Sequence, residues 1–576
     1  MTKQNFTGLE SWRPTVTGRR YAVSTGHYLA TAAAMRALDA GGNAVDAGVT
    51  ASMALAVLQP DVVSFAGVAP TLIYTKQDRR VTSLEGLGYW PAATDTDLLR
   101  QIGGKAIPEG ILQQIVPAAP ATHIEALRRF GTFSFEQAAT PAYELAKEGF
   151  SVYPALHDVL EQHAADIDRY PENSSIFRPG GITPSVGSLL KQPDLANTIW
   201  KMIEAERKQP GGREKKLRAA HDCFYKGPIA DTIAEYHREN GGFMSKDDLA
   251  GFEVPVARSI HCNYHTMQIH SCDVWCQGIV LLESLKFLEG IDLSKFQHNE
   301  PQYLHLIAQV LELAFADREA YVGDPKFMDV PTDELLSDTY AAQQRKRLRP
   351  SQAFIRPEPG MVSKERRVSV QAQIGAGAVP PPPDTIYACV VDAHGNAYSA
   401  TPSDTMYNTP IVPGTGLAIS ARGMQSRLQD GHPCSVAPGK RPRLTPTPAI
   451  ALEGGDVRLV WGTPGGDIQC QAMLQVLLNI VQFDMTVQRA IESPRIGTYG
   501  YPSSFPPNHV LPGRLCIESR IPESTVQVLQ KFGYDIERWP EASWLAGSVC
   551  AIWRAADTGL LHAGADPRRC AYAAAW

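Results

Sequence analysis

Pro380-Pro381-Pro382-Pro383-Asp384-Thr385-Ile386-Tyr387-Ala388-Cys389-Val390-Val391 is the stretch around which the rest of the chain has to be read. Four consecutive prolines lack backbone donors and favour an extended polyproline II arm. The run that follows is rich in β-branched and aromatic residues and predicts a buried strand. Ala393-His394-Gly395-Asn396 then supplies turn chemistry, and Ala397 to Thr401 returns as a second strand, so the segment predicts a hairpin. The arm thus delivers Asp384-Thr385 to the first position of a core strand.

Working outward, Val457 to Trp461 predicts another strand, followed by the turn Gly462-Thr463-Pro464-Gly465-Gly466 and a helix through Leu474 and Leu477. Helical spacing is read in Thr31–Ala40, Val45–Leu58, Phe135–Gly149, Ile229–Arg238, Gly278–Leu288 and Tyr303–Tyr321. Leu72–Tyr74 and Val81–Leu84 are short strands around a polar turn, and 170–187 reads as a surface loop. Hairpins mixed with helices, without repeating strand–helix–strand units, give an α+β class. The 576 residues would by length alone allow roughly three to five domains, with 351–383, which holds no core segment, as a linker between two of them.

Composition excludes several functions. A net charge of −6 gives no electrostatic reason to expect nucleic acid or an anionic membrane as partner. No apolar run is long enough for a membrane span, and the first residues carry no apolar signal centre. Ten cysteines are too sparse for a disulfide-built scaffold, so a reduced, cytoplasmic protein is expected.

Thr385 is the candidate nucleophile. A threonine hydroxyl needs a base, and cutting the chain just before it frees an α-amine with a pKa of roughly 7.7–8.0. The plain alternative is a linker joined to a strand that begins with threonine. Cys262, His265, His270, Cys272 and Cys276 raise the question of zinc, but alternation along 264–274 predicts one strand whose side chains point to opposite faces, and no metal is expected. Cys389, in phase with Thr385 and Tyr387, reads as a core residue on that face.

Seven blocks carry a resemblance. They are Gly41-Gly42-Asn43-Ala44-Val45-Asp46-Ala47; Phe224-Tyr225-Lys226-Gly227-Pro228 with Gly241-Gly242-Phe243; and Ala314 to Tyr321 with Gly323-Asp324-Pro325. Val390-Val391-Asp392 with Gly395-Asn396-Ala397, Pro438 to Pro442, Pro464-Gly465-Gly466 and Ala565 to Arg569 complete them. In this order they resemble the gamma-glutamyltransferase family over nearly the whole chain. The resemblance implies the four-layer αββα sandwich of N-terminal-nucleophile hydrolases. It also implies self-cleavage between Asp384 and Thr385 into fragments 1–384 and 385–576 that stay intertwined as a heterodimer in one globular domain. Thr385 falls on the family's nucleophile, Ser403 on a hydroxyl that bonds it, and Gly465 and Gly466 on the oxyanion-binding glycines. One such donor is worth about 3–4 kcal/mol. Tyr387, Thr405, Arg422 and Thr445 are expected around the substrate, with no cofactor.

The departures concern the substrate. Leu87 stands where gamma-glutamyl enzymes carry the arginine that grips an α-carboxylate. Ser420 to Gln425 replaces the acidic cluster for the α-amine, and Leu444-Thr445 replaces a Ser-Ser pair. Arg422 places a cation where the family holds an amine, unless its side chain turns to solvent. The Asp-Thr-x-Tyr form of the nucleophile motif looks like the oxamate amidohydrolase-like branch. The expected activity is cleavage of an amide of a small carboxylate-bearing acid through an acyl-enzyme. The alternatives are a true gamma-glutamyl hydrolase or transferase of glutathione-type substrates and a non-catalytic, unprocessed relative.

Dividing the 62.8 kDa chain at residue 384 gives fragments of roughly 42 and 21 kDa on a denaturing gel, the smaller with Thr385 as its first residue. Thr385→Ala should stay a single full-length band. A small fragment whose N-terminal sequence begins elsewhere would move the nucleophile.

Overall fold

The strand Ala388–Val391 pairs antiparallel with Ala397–Ala400 on one side and with Ala22–Thr25 on the other. These strands are the centre of a seven-stranded sheet in the order 572–575, 22–25, 388–391, 397–400, 71–75, 80–84 and 256–258. A second seven-stranded sheet runs 16–18, 561–565, 550–554, 456–462, 449–453, 267–271 and 260–264. Every neighbouring pair in both sheets is antiparallel. The computed structural model describes residues 11–363, 373–379 and 385–576; the four prolines and Asp384 lie outside the described residues.

Strand alternation sorts the two faces. Ile386, Ala388 and Val390 pack outward with the helices Tyr28–Asp39, Ala44–Leu58 and Phe135–Glu148. Tyr387, Cys389 and Val391 face inward, against Ile450, Val460 and Ile552 of the second sheet. The second sheet's outer face is covered by Gly278–Leu288, Pro301–Tyr321 and Ile468–Val481. The result is the αββα sandwich of the N-terminal-nucleophile hydrolase type. The sheets meet closely: a Cβ on Gly462 would lie 2.3 Å from the Tyr387 ring. The turn that follows Gly462 therefore leaves the second sheet at the end of the sandwich where Thr385 enters the first.

Several sequence blocks turn out to be anchors. Asn43 caps the helix Ala44–Leu58, accepting from the amides of Val45 and Asp46, while the Asp46 carboxylate accepts from Asn43, Thr132 and Phe133. Asp392 ties the hairpin turn to that helix, accepting from Ala44 N at 3.0 Å and from the amides of His394 and Asn396.

Three readings change. Residues 264–274 do not form one strand: His265, at φ 51°, turns Ile260–Tyr264 back onto Met267–Ser271. The expected loop at 170–187 contains the helix Pro171–Phe177. The expected linker at 351–383 is pinned to the core where it is described. Ala353 and Phe354 are buried, Gly360 N donates to Asp317 at 2.6 Å, and Val379 packs with Ile468 and Trp539. Its described parts, 351–363 and 373–379, lie against the core rather than apart from it.

Glu312, on Pro301–Tyr321, is wholly buried with Thr498 as a hydrogen-bond partner, and burial pushes its carboxyl up to about 8. The folded state therefore prefers the neutral acid. The stability this contributes is full below the ordinary carboxylate value of 4.5 and is lost as pH rises through about 8. Glu312→Gln should flatten that decline, melting higher than the parent at pH 8 and close to it at pH 4–5 in thermal scans. Parallel pH curves for the two proteins would refute this assignment.

Candidate functional site

Thr385 is fully buried at the head of the central strand, and its Oγ1 lies 2.8 Å from Ser403 Oγ. Ser403 is brought there by the partner strand: Ala397–Ala400 continues into Thr401-Pro402-Ser403, where Ile386 N donates to Pro402 O at 3.0 Å and Ser403 bridges to Thr385 and Val68. Even spacing from Tyr387 puts Thr385 on the inward face of its sheet.

Arg422 closes the next link. Its side chain has no solvent exposure, Nη2 donates to Ser403 Oγ, and Nε lies 3.6 Å from Asp404 Oδ1. The reading in which Arg422 turns to solvent is excluded. Asp404 is itself buried; burial holds its carboxyl above the ordinary value, and the Arg422 guanidinium offsets that only in part. Its Oδ1 also accepts from Ala421 N at 2.9 Å. Asp404 adopts φ 134°, a left-handed backbone that a non-glycine residue holds only at a cost of order 1–3 kcal/mol.

The glycine turn is fixed from behind. Gly465 and Gly466 take φ values of 124° and 59°, and a Cβ on Gly465 would sit 2.2 Å from Ile468. Positive φ favours glycine at both positions, and at Gly465 the close approach of Ile468 leaves no room for a side chain. Asp467 accepts from Arg318 Nη1 at 2.5 Å and from Ser504 N at 2.8 Å. Gln277 donates to Gly466 O at 3.0 Å and to Thr445 O at 3.1 Å, and Gln425 donates to Thr445 Oγ1 at 3.0 Å. A chain of side-chain bonds thus runs from the glycine turn to the Arg422–Gln425 turn.

Of the residues singled out by sequence, Thr385, Ser403 and Arg422 are in direct contact, and Gly466 and Thr445 join them through Gln277 and Gln425. Thr405 follows Asp404 but spends its hydroxyl on Asn408 Oδ1 at 2.7 Å. Tyr387 bonds Ser399 Oγ at 2.6 Å within the inter-sheet core. Asp384 lies outside the described residues. Asp404, Gln277, Gln425 and Asp467 were not singled out; the apolar flanks of Arg422 signal a buried cation in need of an acid without saying which. Among the described residues no group of three or more His, Cys, Asp or Glu is placed to hold a metal. His270 instead bonds Ser259 and Gln268.

The Gamma-glutamyltranspeptidase family profile matches residues 30–576. The chain belongs to the gamma-glutamyltranspeptidase family. It is 30% identical over 580 residues to the Acylase ACY 1 proenzyme of Pseudomonas sp. (strain V22), covering 95% of this chain and 96% of that one. It is 29% identical over 560 residues to the Glutathione hydrolase-like YwrD proenzyme of Bacillus subtilis, covering 96% and 98%. Cephalosporin acylase from Bacillus halodurans superimposes with a TM-score of 0.85 at 28% identity, over 100% of this chain and 98% of that one. The protein is thus a catalytic, self-processing N-terminal-nucleophile enzyme of the gamma-glutamyltranspeptidase family, and a non-catalytic relative is set aside. No helix among the described residues is long and apolar enough to cross a membrane.

Gly466→Ala should lower kcat by about 100-fold or more if the turn's amides meet the oxyanion, while the left-handed backbone costs only about 1–2 kcal/mol of stability. Steady-state kinetics beside a melting curve checks this. A folded Gly466→Ala enzyme with parental kcat would remove the turn from the chemistry.

Proposed function

We propose that the enzyme cleaves γ-glutamyl amides of the glutathione type, passing the acyl group through Thr385 to water or to an acceptor amine. Self-processing comes first. Thr385 Oγ attacks the carbonyl carbon of Asp384, the peptide nitrogen leaves as the new α-amine, and water hydrolyses the resulting ester. In turnover that amine takes the Thr385 proton as the hydroxyl attacks the substrate carbonyl, then returns it to the leaving amine. The amides at Gly465 and Gly466 receive the oxyanion, and water or an amine releases the acyl group.

The observation that carries the γ-glutamyl reading is the Arg422–Asp404 pair. An isolated cation at that position would repel a substrate α-amine, but Arg422 is compensated by a carboxylate at 3.6 Å. That pairing weakens the charge objection drawn from sequence, and the YwrD relative, matched over nearly its full length, carries the glutathione hydrolase-like name.

A second reading, hydrolysis of an amide of a small carboxylate-bearing acid with oxamate among the substrates, is favoured by Leu87. That residue is buried with Trp90 in the inter-sheet core and offers no cation to an α-carboxylate. The Acylase ACY 1 relative is in keeping with it.

The test compares kcat/KM for a γ-glutamyl anilide with that for oxamate and short acyl amides lacking an α-amine. The γ-glutamyl reading expects the anilide to be preferred by tenfold or more, about 1.4 kcal/mol in the transition state. Preference for the amine-free amides would give the second reading the site.

A further inference from the structure

We propose that Val379, on the tail of the large fragment, is a positioning residue for the Gly465–Gly466 turn and acts on it through Ile468. The turn is then held from both sides of the cut before Thr385. This rests on the reading that the turn's amides receive the oxyanion, and it adds to the site a residue that no sequence block marks.

Two consecutive glycines give a turn no stiffness of its own, because each can take many backbone conformations at little cost. Polar anchors fix one side of it. Gln277 donates to Gly466 O at 3.0 Å, and Asp467 is held by Arg318 and by the Ser504 amide. None of these bonds reaches Gly465, whose carbonyl accepts from Ile468 N at 3.1 Å. The side-chain neighbour there is apolar. A Cβ on Gly465 would lie 2.2 Å from Ile468 Cγ2 and 3.5 Å from Gly547 Cα, so a methyl of Ile468 packs on the bare Cα of Gly465.

Ile468 is held from behind in its turn. A Cβ on Gly497 would lie 2.6 Å from Ile468 Cδ1 and 3.1 Å from the Trp539 ring, so these two side chains meet over that glycine. Both belong to a small apolar cluster, separate from the inter-sheet core and the two outer cores, that also contains Val379, Leu511, Cys516 and Ala546. Ala546 directly precedes Gly547, the second neighbour of Gly465. Both contacts of Gly465 thus lead back to one cluster, and among the described residues Val379 is its only member from before Thr385.

The tail reaches the cluster without help from the peptide bond to be cut. Gln373 and Ile374 pair in parallel with His509 and Val510, and Gly375 N donates to Val510 O at 2.9 Å. Arg514 Nη1 donates to Gly377 O at 2.9 Å, and Val379 N donates to Glu537 Oε2 at 3.3 Å. All of these partners lie after Thr385 in the chain. Ile374 is 77% exposed and Ala376, Gly377 and Ala378 are exposed, whereas Val379 is 7% exposed. The one side chain that this run buries is the one packed behind the turn.

The experiment measures kcat, KM and melting of the fully cleaved enzyme in Val379→Ala, Val379→Ile, Gly466→Ala and the Val379→Ala/Gly466→Ala double variant. Val379→Ala should lower kcat by about fivefold or more with KM within about twofold of the parent, because an interaction made only in the transition state is weakened. Val379→Ile keeps both γ carbons and should stay within about twofold of the parental kcat. In the Gly466→Ala background, Val379→Ala should cost less than about twofold further, since residues acting through one another are not additive. Leu217→Ala, in the apolar core that covers the first sheet, should lower the melting temperature and leave kcat at the parental value. If Val379→Ala fails to fold, Ile468→Val, which removes only the Cδ1 atom beside Trp539, is expected to show the same loss in kcat alone and the same dependence on Gly466. Parental kcat in folded Val379→Ala, a rise in KM alone, or a full multiplicative loss on top of Gly466→Ala would overturn the proposal. Parental kcat in Gly466→Ala sinks the oxyanion reading beneath it, whereas an impaired Gly466→Ala beside a parental Val379→Ala sinks the positioning role alone.

Discussion

A guanidinium with no exposure has to be met on every side, and Arg318 sets the terms for the glycine turn of this enzyme. From the helix Pro301–Tyr321 it donates to Gln277 Oε1, Asp467 Oδ1, Ser504 Oγ and Pro502 O. Asp467 directly follows Gly466, so the turn proposed to bind the oxyanion is moored to the helical layer by a buried ion pair. The next residue, Glu319, gathers Arg443, Arg427 and His432. Breaking one partner of such a buried pair costs about 3–5 kcal/mol, because the other charge is left uncompensated. One helical turn thus holds both the glycine turn and the loops around Arg422.

Much of this was legible in the sequence because the conspicuous blocks are anchors. Asp46, Asp392, Arg318 and Asp324 stand out as charges inside apolar or glycine-rich runs, and each is a buried acceptor or donor for backbone or an opposite charge. The hairpin at 388–400 followed from strand composition and turn chemistry, which are local. The strap at 351–363 did not, since its hold on the core depends on single residues such as Phe354 and Gly360 meeting distant elements. The His265 turn was missed because a non-glycine residue at positive φ gives no compositional warning.

The site was half legible for the same reason. The contact of Thr385 with Ser403 follows from two strands adjacent in sequence, so motif spacing carries it. The partners of Arg422, Gly466 and Thr445 are chosen by topology, and no spacing rule leads from Gln277 to Gly466 or from Gln425 to Thr445. Reading Arg422 as a lone charge left its nearest acid, Asp404, out of the substrate argument. A charge acts on a ligand only after its own counter-ion is counted, and Asp404 was hidden between two hydroxyl residues.

The interleaving of strands has a consequence for how the mature enzyme can be lost. Ala388–Val391 and Ala397–Ala400 are wedged between Ala22–Thr25 and Thr71–Thr75, while Val16–Gly18 lies at the edge of a sheet formed mostly by later residues. Before the cut, a melted molecule can search for this arrangement as one tethered chain. After it, the same search is a meeting of two separate polypeptides, each missing the neighbours its strands require. Recovery from heat or denaturant then depends on dilution, and half of each broken sheet is left with bare edges open to foreign pairing. The proposed cut before Thr385 would thus exchange one tethered search for a meeting of two chains.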